Sequence, residues 1–155
     1  MLSTAALEEL ARTEAARLGG WRHRRGGEHE LRSGLRLART DDSEVWLLCW
    51  PPGARVTPHD HGASAGAFMV LSGRLTEVRW DDGRRTESAL EPGQVVYVAP
   101  GDVHDVLADA APAYSVHAYS PPLSTMSFYD TDGRRVLRTE IVEDTPAEFE
   151  SSVAR

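Results

Sequence analysis

From about Leu31 onward, the hydrophobic pattern of this chain has a period of two, in short runs that glycine and proline repeatedly cut. The runs read "LRSGLRLART", "SEVWLLCW", "AFMVLSG", "RLTEVRW", "RRTESALE", "QVVYVAP", "HDVLAD", "YSVHAYS" and "RRVLRTEIV". Alternation of this kind marks strands. Between the runs stand turn signals: "PPG" at 51–53, "DDG" at 81–83, "PG" at 92–93 and 100–101, and "DG" at 132–133. Many short strands at close spacing predict an all-β sandwich or barrel.

Ahead of the strands, Leu7, Leu10, Ala11, Ala15 and Leu18 recur at helical spacing. Ser3 or Thr4 is the expected N-cap and Gly19-Gly20 the stop. The expected organisation is therefore a helix and connector over 1–30, a barrel over 31–142, and an acidic, loosely held tail over 143–155. No internal repeat interrupts this plan. A chain of 155 residues suits one domain with its own core.

The formal net charge of −7 argues against a nucleic-acid partner, and all 17 basic residues are arginine. The basic run Arg22–Arg25 reads as a solvated turn. Cys49 is the single cysteine, so no internal disulfide forms. The first residues lack the pattern of a signal peptide, and no apolar run reaches the roughly 18 residues of a membrane span. The expectation is a cytoplasmic protein without membrane, nucleic-acid or obligate protein partners.

Of six histidines, His23 and His29 lie in a polar connector and read as exposed. His59 and His61 are two apart, so on a strand they project to one face. Turned inward, two imidazoles need partners for their ring nitrogens. A metal ion supplies one, and histidine is the commonest metal ligand. Zinc, nickel and copper all suit such histidines, so spacing leaves the metal open.

The glycine frame narrows the reading. Gly53 precedes His59 by six positions, Gly66 and Gly73 follow His61, and Gly93 leads to "APGDVH" ending at His104. This resembles the two-part signature of the cupin superfamily. It implies a double-stranded β-helix, or jelly-roll, barrel with His59, His61 and His104 as metal ligands. Ala99 stands where proline is usual. Gly66 stands where most cupins place a fourth ligand, a glutamate. A three-histidine site keeps the ion's full charge and leaves positions open to substrate.

"YSVHAYSPP" at 114–122 puts Ser115, His117 and Tyr119 on one strand face, an arrangement suited to a hydrogen-bond relay. This run, the glutamate-less histidine pair and Cys49-Trp50 together resemble the cysteine dioxygenase family over about Leu37 to Gly133. The resemblance implies ferrous iron, Fe(2+), on His59, His61 and His104, and addition of both atoms of dioxygen to the sulfur of L-cysteine. It implies that Ser115, His117 and Tyr119 form the triad beside the substrate, with the Tyr119 hydroxyl near the substrate and oxygen sites. Arg39 in "LART" falls where the family holds the substrate carboxylate, and an arginine there favours cysteine over 3-mercaptopropionate.

Two departures accompany the match. Leu37 replaces a family tyrosine, which leaves 3-mercaptopropionate or another small thiol as an alternative substrate. Gly66 occupies the position of the cysteine that mammalian members cross-link to the active-site tyrosine, so no cross-link between Cys49 and Tyr119 is expected. A non-catalytic metal- or ligand-binding cupin is the alternative of another class, disfavoured by the Ser115–His117–Tyr119 relay.

Overall fold

The computed structural model describes residues 1–19 and 32–151. Gly20, His23, His29 and the Arg22–Arg25 run lie outside the described residues. One helix, α1 (Thr4–Arg17), precedes twelve strands: β1 (Arg32–Arg39), β2 (Glu44–Trp50), β3 (Arg55–Asp60), β4 (Ala65–Ser72), β5 (Leu75–Asp81), β6 (Arg84–Leu90), β7 (Val95–Val98), β8 (His104–Ala108), β9 (Ala113–Ser120), β10 (Thr125–Tyr129), β11 (Val136–Ile141) and β12 (Glu148–Ser151). They form two six-stranded sheets, ordered β12-β1-β2-β9-β4-β7 and β11-β10-β3-β8-β5-β6. Every recorded strand pairing is antiparallel. This is the expected all-β, double-stranded β-helix architecture.

Two hydrophobic clusters follow from the period of two. Trp46, Leu48 and Trp50 face inward with Val56, Phe68, Val106 and Phe128, and fill the space between the sheets. The alternate residues Val45 and Leu47, with Ala65, Ala67, Val116 and Ala118, face outward. There they meet Leu7, Ala11 and Ala15 of α1. β2 is thus covered on both faces and buried throughout, which explains its continuous apolar run. Burying each large side chain contributes about 1.5–3 kcal/mol. Ser3 caps α1, its hydroxyl accepting from the Ala6 amide at 3.3 Å. Leu10 and Leu18 pack only at the margin of this outer cluster.

Three strands go beyond the runs read from sequence. β3 contains Pro58, which counts against a strand because it has no N–H to give a ladder. A register shift between Val56 and His59 accommodates it. β10 is short and only partly buried. β12 lies in the segment expected to be a loose acidic tail. It pairs with β1, and the Phe149 ring meets Trp46 edge-on at 5.6 Å between centroids. One aromatic residue thereby anchors an otherwise polar strand. Gly34 lies directly against the Phe149 ring, and a Cβ there would overlap it. Gly73 has φ of 74°, and a Cβ would collide with the Pro112 carbonyl.

Candidate metal centre and active site

β3 and β8 run side by side, with His59 opposite His104 in the ladder. His61 follows immediately after β3, where the chain turns and the Ser64 amide donates to the His61 carbonyl at 3.0 Å. The intervening Asp60 does not join them. Its carboxylate accepts from the Gly62 and Ser127 amides at 2.9 and 3.4 Å and from the Tyr129 hydroxyl at 2.6 Å. Burial and that bond push the Tyr129 phenol up to about 12.

His59, His61 and His104 are buried, and each offers a ligand atom within 4.8 Å of the others. His59 Nδ1 lies 2.8 Å from the Thr57 carbonyl, and His104 Nδ1 lies 2.8 Å from Glu77 Oε1. Both partners only accept, so each Nδ1 carries a proton and Nε2 is the nitrogen left to ligate a metal. His61 and His104 hold their Nε2 atoms 3.4 Å apart. Nitrogens at about 2.0–2.1 Å from a shared metal fall at roughly that separation. Burial, and then repulsion from neighbouring histidines, lower His59 and His61 well below the ordinary imidazole range. Both are therefore neutral and able to ligate. The donor set fits a divalent metal ion.

From the opposite sheet, β9 brings Ser115, His117 and Tyr119 to the same space. The Tyr119 and His61 rings are 4.9 Å apart between centroids. Ser115 Oγ lies 2.8 Å from His117 Nε2, and Tyr119 Oη lies 3.5 Å from His117 Nδ1. Trp50 Nε1 donates to Ser115 Oγ at 2.8 Å. Ser115 is fully buried, so its own proton points to the acceptor within reach, His117 Nε2. His117 then carries its proton on Nδ1, directed at the phenol oxygen. The phenol proton is left for the cavity. Burial raises the Tyr119 phenol above its ordinary value, so it stays protonated. Phe68 stacks on the His117 ring at 4.7 Å and holds its plane.

Gly66 belongs to this site by position. A Cβ on it would stand 3.2 Å from His61 Nδ1 and 3.4 Å from Tyr119 Cε1. Cys49 lies on the opposite face of β2 from Trp50 and hydrogen-bonds the Tyr114 side chain.

The three histidines, His117 and Tyr119 line one cavity of about 310 Å³, whose wall is largely apolar: Trp46, Leu48, Val56, Met126, Phe128 and Phe149. The arginine on that wall is not the one expected. Arg39 is absent from the lining; its guanidinium is drawn to the buried Glu44 carboxylate at 3.3 Å and to the Glu143 carbonyl at 3.3 Å. Arg32, at the other end of β1, lines the cavity instead. It lies over the Trp50 and Phe149 rings at 5.4 and 5.3 Å, and its Nε has no hydrogen-bond partner among the described residues. Burial lowers its pKa, and its charge in turn depresses His59 and His117. Arg55 also reaches the wall, but Asp105 engages it.

Arg32, Trp50 and Glu77 are thus site residues whose roles sequence reasoning missed. Glu77 alone carried a local sign, since it shares the strand face of the buried Leu75.

The family model described as cysteine dioxygenase type I matches residues 21–132, which hold all three histidines and the β9 triad. This chain belongs to the cysteine dioxygenase family. Human cysteine dioxygenase type 1 is 32% identical over 97 residues, covering 56% of this chain and 48% of that protein. The chain therefore spans about half the length of the curated relatives it matches. Among solved structures, a cupin-superfamily sugar phosphate isomerase from Silicibacter pomeroyi is similar, with 25% identity, TM-score 0.56, and coverage of 66% of this chain and 68% of that one. A double-stranded β-helix protein from Klebsiella pneumoniae has 21% identity, TM-score 0.53, and coverage of 61% and 81%. These last likenesses concern the fold. Among the described residues, no helix is long and apolar enough to cross a membrane.

Proposed function

We propose that this member of the cysteine dioxygenase family is a thiol dioxygenase that uses Fe(2+) and dioxygen to convert L-cysteine to cysteine sulfinate. The observation that carries the reading is one cavity in which three histidines face the Ser115–His117–Tyr119 relay, with no carboxylate among the three ligands. His59, His61 and His104 would hold the iron. When bound, iron supplies the dioxygen chemistry that an apolar pocket of amino-acid side chains lacks.

The chain's own residues do the rest. Arg32, whose Nε has no hydrogen-bond partner among the described residues, offers its guanidinium to the substrate carboxylate in the planar fork that suits bidentate pairing. It takes the role that sequence comparison assigned to Arg39. Tyr119, its oxygen fixed by His117, donates its proton as a hydrogen bond to the substrate or its oxygen atoms. The relay from Trp50 through Ser115 holds His117 in the tautomer that makes this possible. The apolar wall excludes bulk water and strengthens each of these polar contacts.

The test is oxygen uptake by iron-loaded protein with L-cysteine, 3-mercaptopropionate and cysteamine side by side, the products identified by mass. Cysteine sulfinate as the favoured product supports the reading. Preference for 3-mercaptopropionate keeps the site and changes the substrate. No uptake with any thiol overturns the enzyme assignment in favour of a binding module.

A further inference from the structure

The three imidazoles differ in what stands behind them. His61 Nδ1 has no hydrogen-bond partner among the described residues, His59 Nδ1 has the neutral Thr57 carbonyl, and His104 Nδ1 has a carboxylate, Glu77. β5 lies beside β8, with Arg79 opposite His104 and Glu77 opposite Val106, so Glu77 reaches His104 across the ladder. Glu77 is 4% exposed. A buried carboxylate is costly unless paired, and this one has two partners: His104 on Oε1 and Arg79 Nε on Oε2 at 3.1 Å. Arg79 is itself tied to the Tyr97 carbonyl.

We propose that Glu77 is a positioning residue of the metal centre: it locks His104 as the Nδ1–H tautomer and returns, one residue removed, the negative charge that Gly66 leaves out of the ligand set. The inference rests on the metal-site reading of the three histidines, not on the identity of the thiol. An imidazole that donates to an anion is a better σ-donor than one that donates to a carbonyl. His104 is therefore the strongest of the three ligands. Without the carboxylate its ring is free to carry the proton on Nε2, where it blocks the metal.

Glu77→Ala removes both charge and acceptor, while Glu77→Gln keeps an acceptor oxygen of similar shape. Two readouts use the full chain and neither needs turnover. Long-range ¹H–¹⁵N correlation of the metal-free protein reads the His104 tautomer, and competition with a chelator reads affinity for Co²⁺. The expected result is a His104 that is Nδ1–H in the parent and in Glu77→Gln, and mixed or Nε2–H in Glu77→Ala. Co²⁺ affinity falls about 10–100-fold in Glu77→Ala and by a smaller factor in Glu77→Gln. Thermal unfolding of the metal-free proteins separates this from a folding defect, since Glu77→Gln is expected to stay folded and still lose affinity. Co²⁺ affinity within twofold of the parent in both variants, or an unchanged His104 tautomer in Glu77→Ala, overturns the proposal. Absence of thiol oxidation would leave both readouts intact, so failure of the enzyme reading is told apart from failure of this one.

Discussion

Gly66 faces His61 so closely that the first carbon of any side chain there would stand 3.2 Å from His61 Nδ1. Here the space beside the ligand is left open. Gly66→Ala forces the His61 ring to shift by a few tenths of an ångström, and overpacking of this kind costs typically about 1–3 kcal/mol. We expect a several-fold loss of metal affinity and a modest loss of stability. A Co²⁺ titration beside a thermal melt checks both, and unchanged affinity would show that the ring yields freely.

The placement of Arg32 in the cavity and Arg39 outside it predicts different consequences for two arginines on one strand. Arg32→Gln should raise KM for carboxylate-bearing thiols by about 10–100-fold, the size expected for a charge-assisted hydrogen bond, and should scarcely affect cysteamine. Arg39→Gln should leave KM nearly unchanged. Steady-state oxygen uptake with both substrate types decides it, and the reverse pattern would restore Arg39 as the clamp.

Tyr119→Phe keeps the ring against His61 but removes the hydroxyl. It should lower kcat by at least tenfold while metal content stays at the parent level. His104→Ala should abolish stoichiometric metal binding. Trp50→Phe removes the donor to Ser115 and should lower kcat by a smaller factor with metal retained. Metal analysis alongside kinetics distinguishes these cases, and metal loss in Tyr119→Phe would contradict its assigned role.

His117 is held well below the ordinary imidazole range, first by burial and then by the neighbouring His104 and Arg32. The native state therefore keeps it neutral, while the unfolded chain takes up a proton as pH falls below about 6.5. Below that point the unfolded state binds more protons than the native one, so stability declines with falling pH. The slope is up to about 1.4 kcal/mol per pH unit for this residue. Urea unfolding at several pH values from neutral downward should show the decline, and His117→Gln should show a shallower one. Equal slopes would mean that His117 is protonated in the folded protein.

Phe149 anchors β12 to the inner core beside Trp46, Gly34 and Arg32. Phe149→Ala should destabilise the fold by about 2–3 kcal/mol, below the range for fully buried phenylalanine because this ring is only partly covered. It should also weaken binding of carboxylate-bearing thiols, since Arg32 loses one of its two flanking rings. A melt combined with KM measurements tests both effects; a change in Tm alone would separate the strand from the site.

What the sequence by itself determined was whatever depends on strand periodicity and short spacing. The alternation from Leu31 onward gave an all-β sandwich or barrel. The two-residue spacing of Ser115, His117 and Tyr119 placed that set on one strand face, because a pleated strand repeats every second residue; the same spacing paired His59 with His61, although His61 lies just past the end of β3. Resemblance added His104 and the family. What only the tertiary structure decided was which distant residues complete these sets. Trp50 reaches Ser115 across 65 positions of sequence, and Glu77 reaches His104 across 27. The strand face of Leu75 hints that Glu77 is buried, but neither partner can be read locally, since each contact depends on which strands become neighbours. The choice between Arg32 and Arg39 was hidden for a related reason. A register shift between Arg36 and Ala38 interrupts the alternation of β1 and sets Arg39 opposite Glu44, whose carboxylate engages its guanidinium at 3.3 Å. Local pattern tells which residues share a face; packing and charge balance decide which face becomes the site.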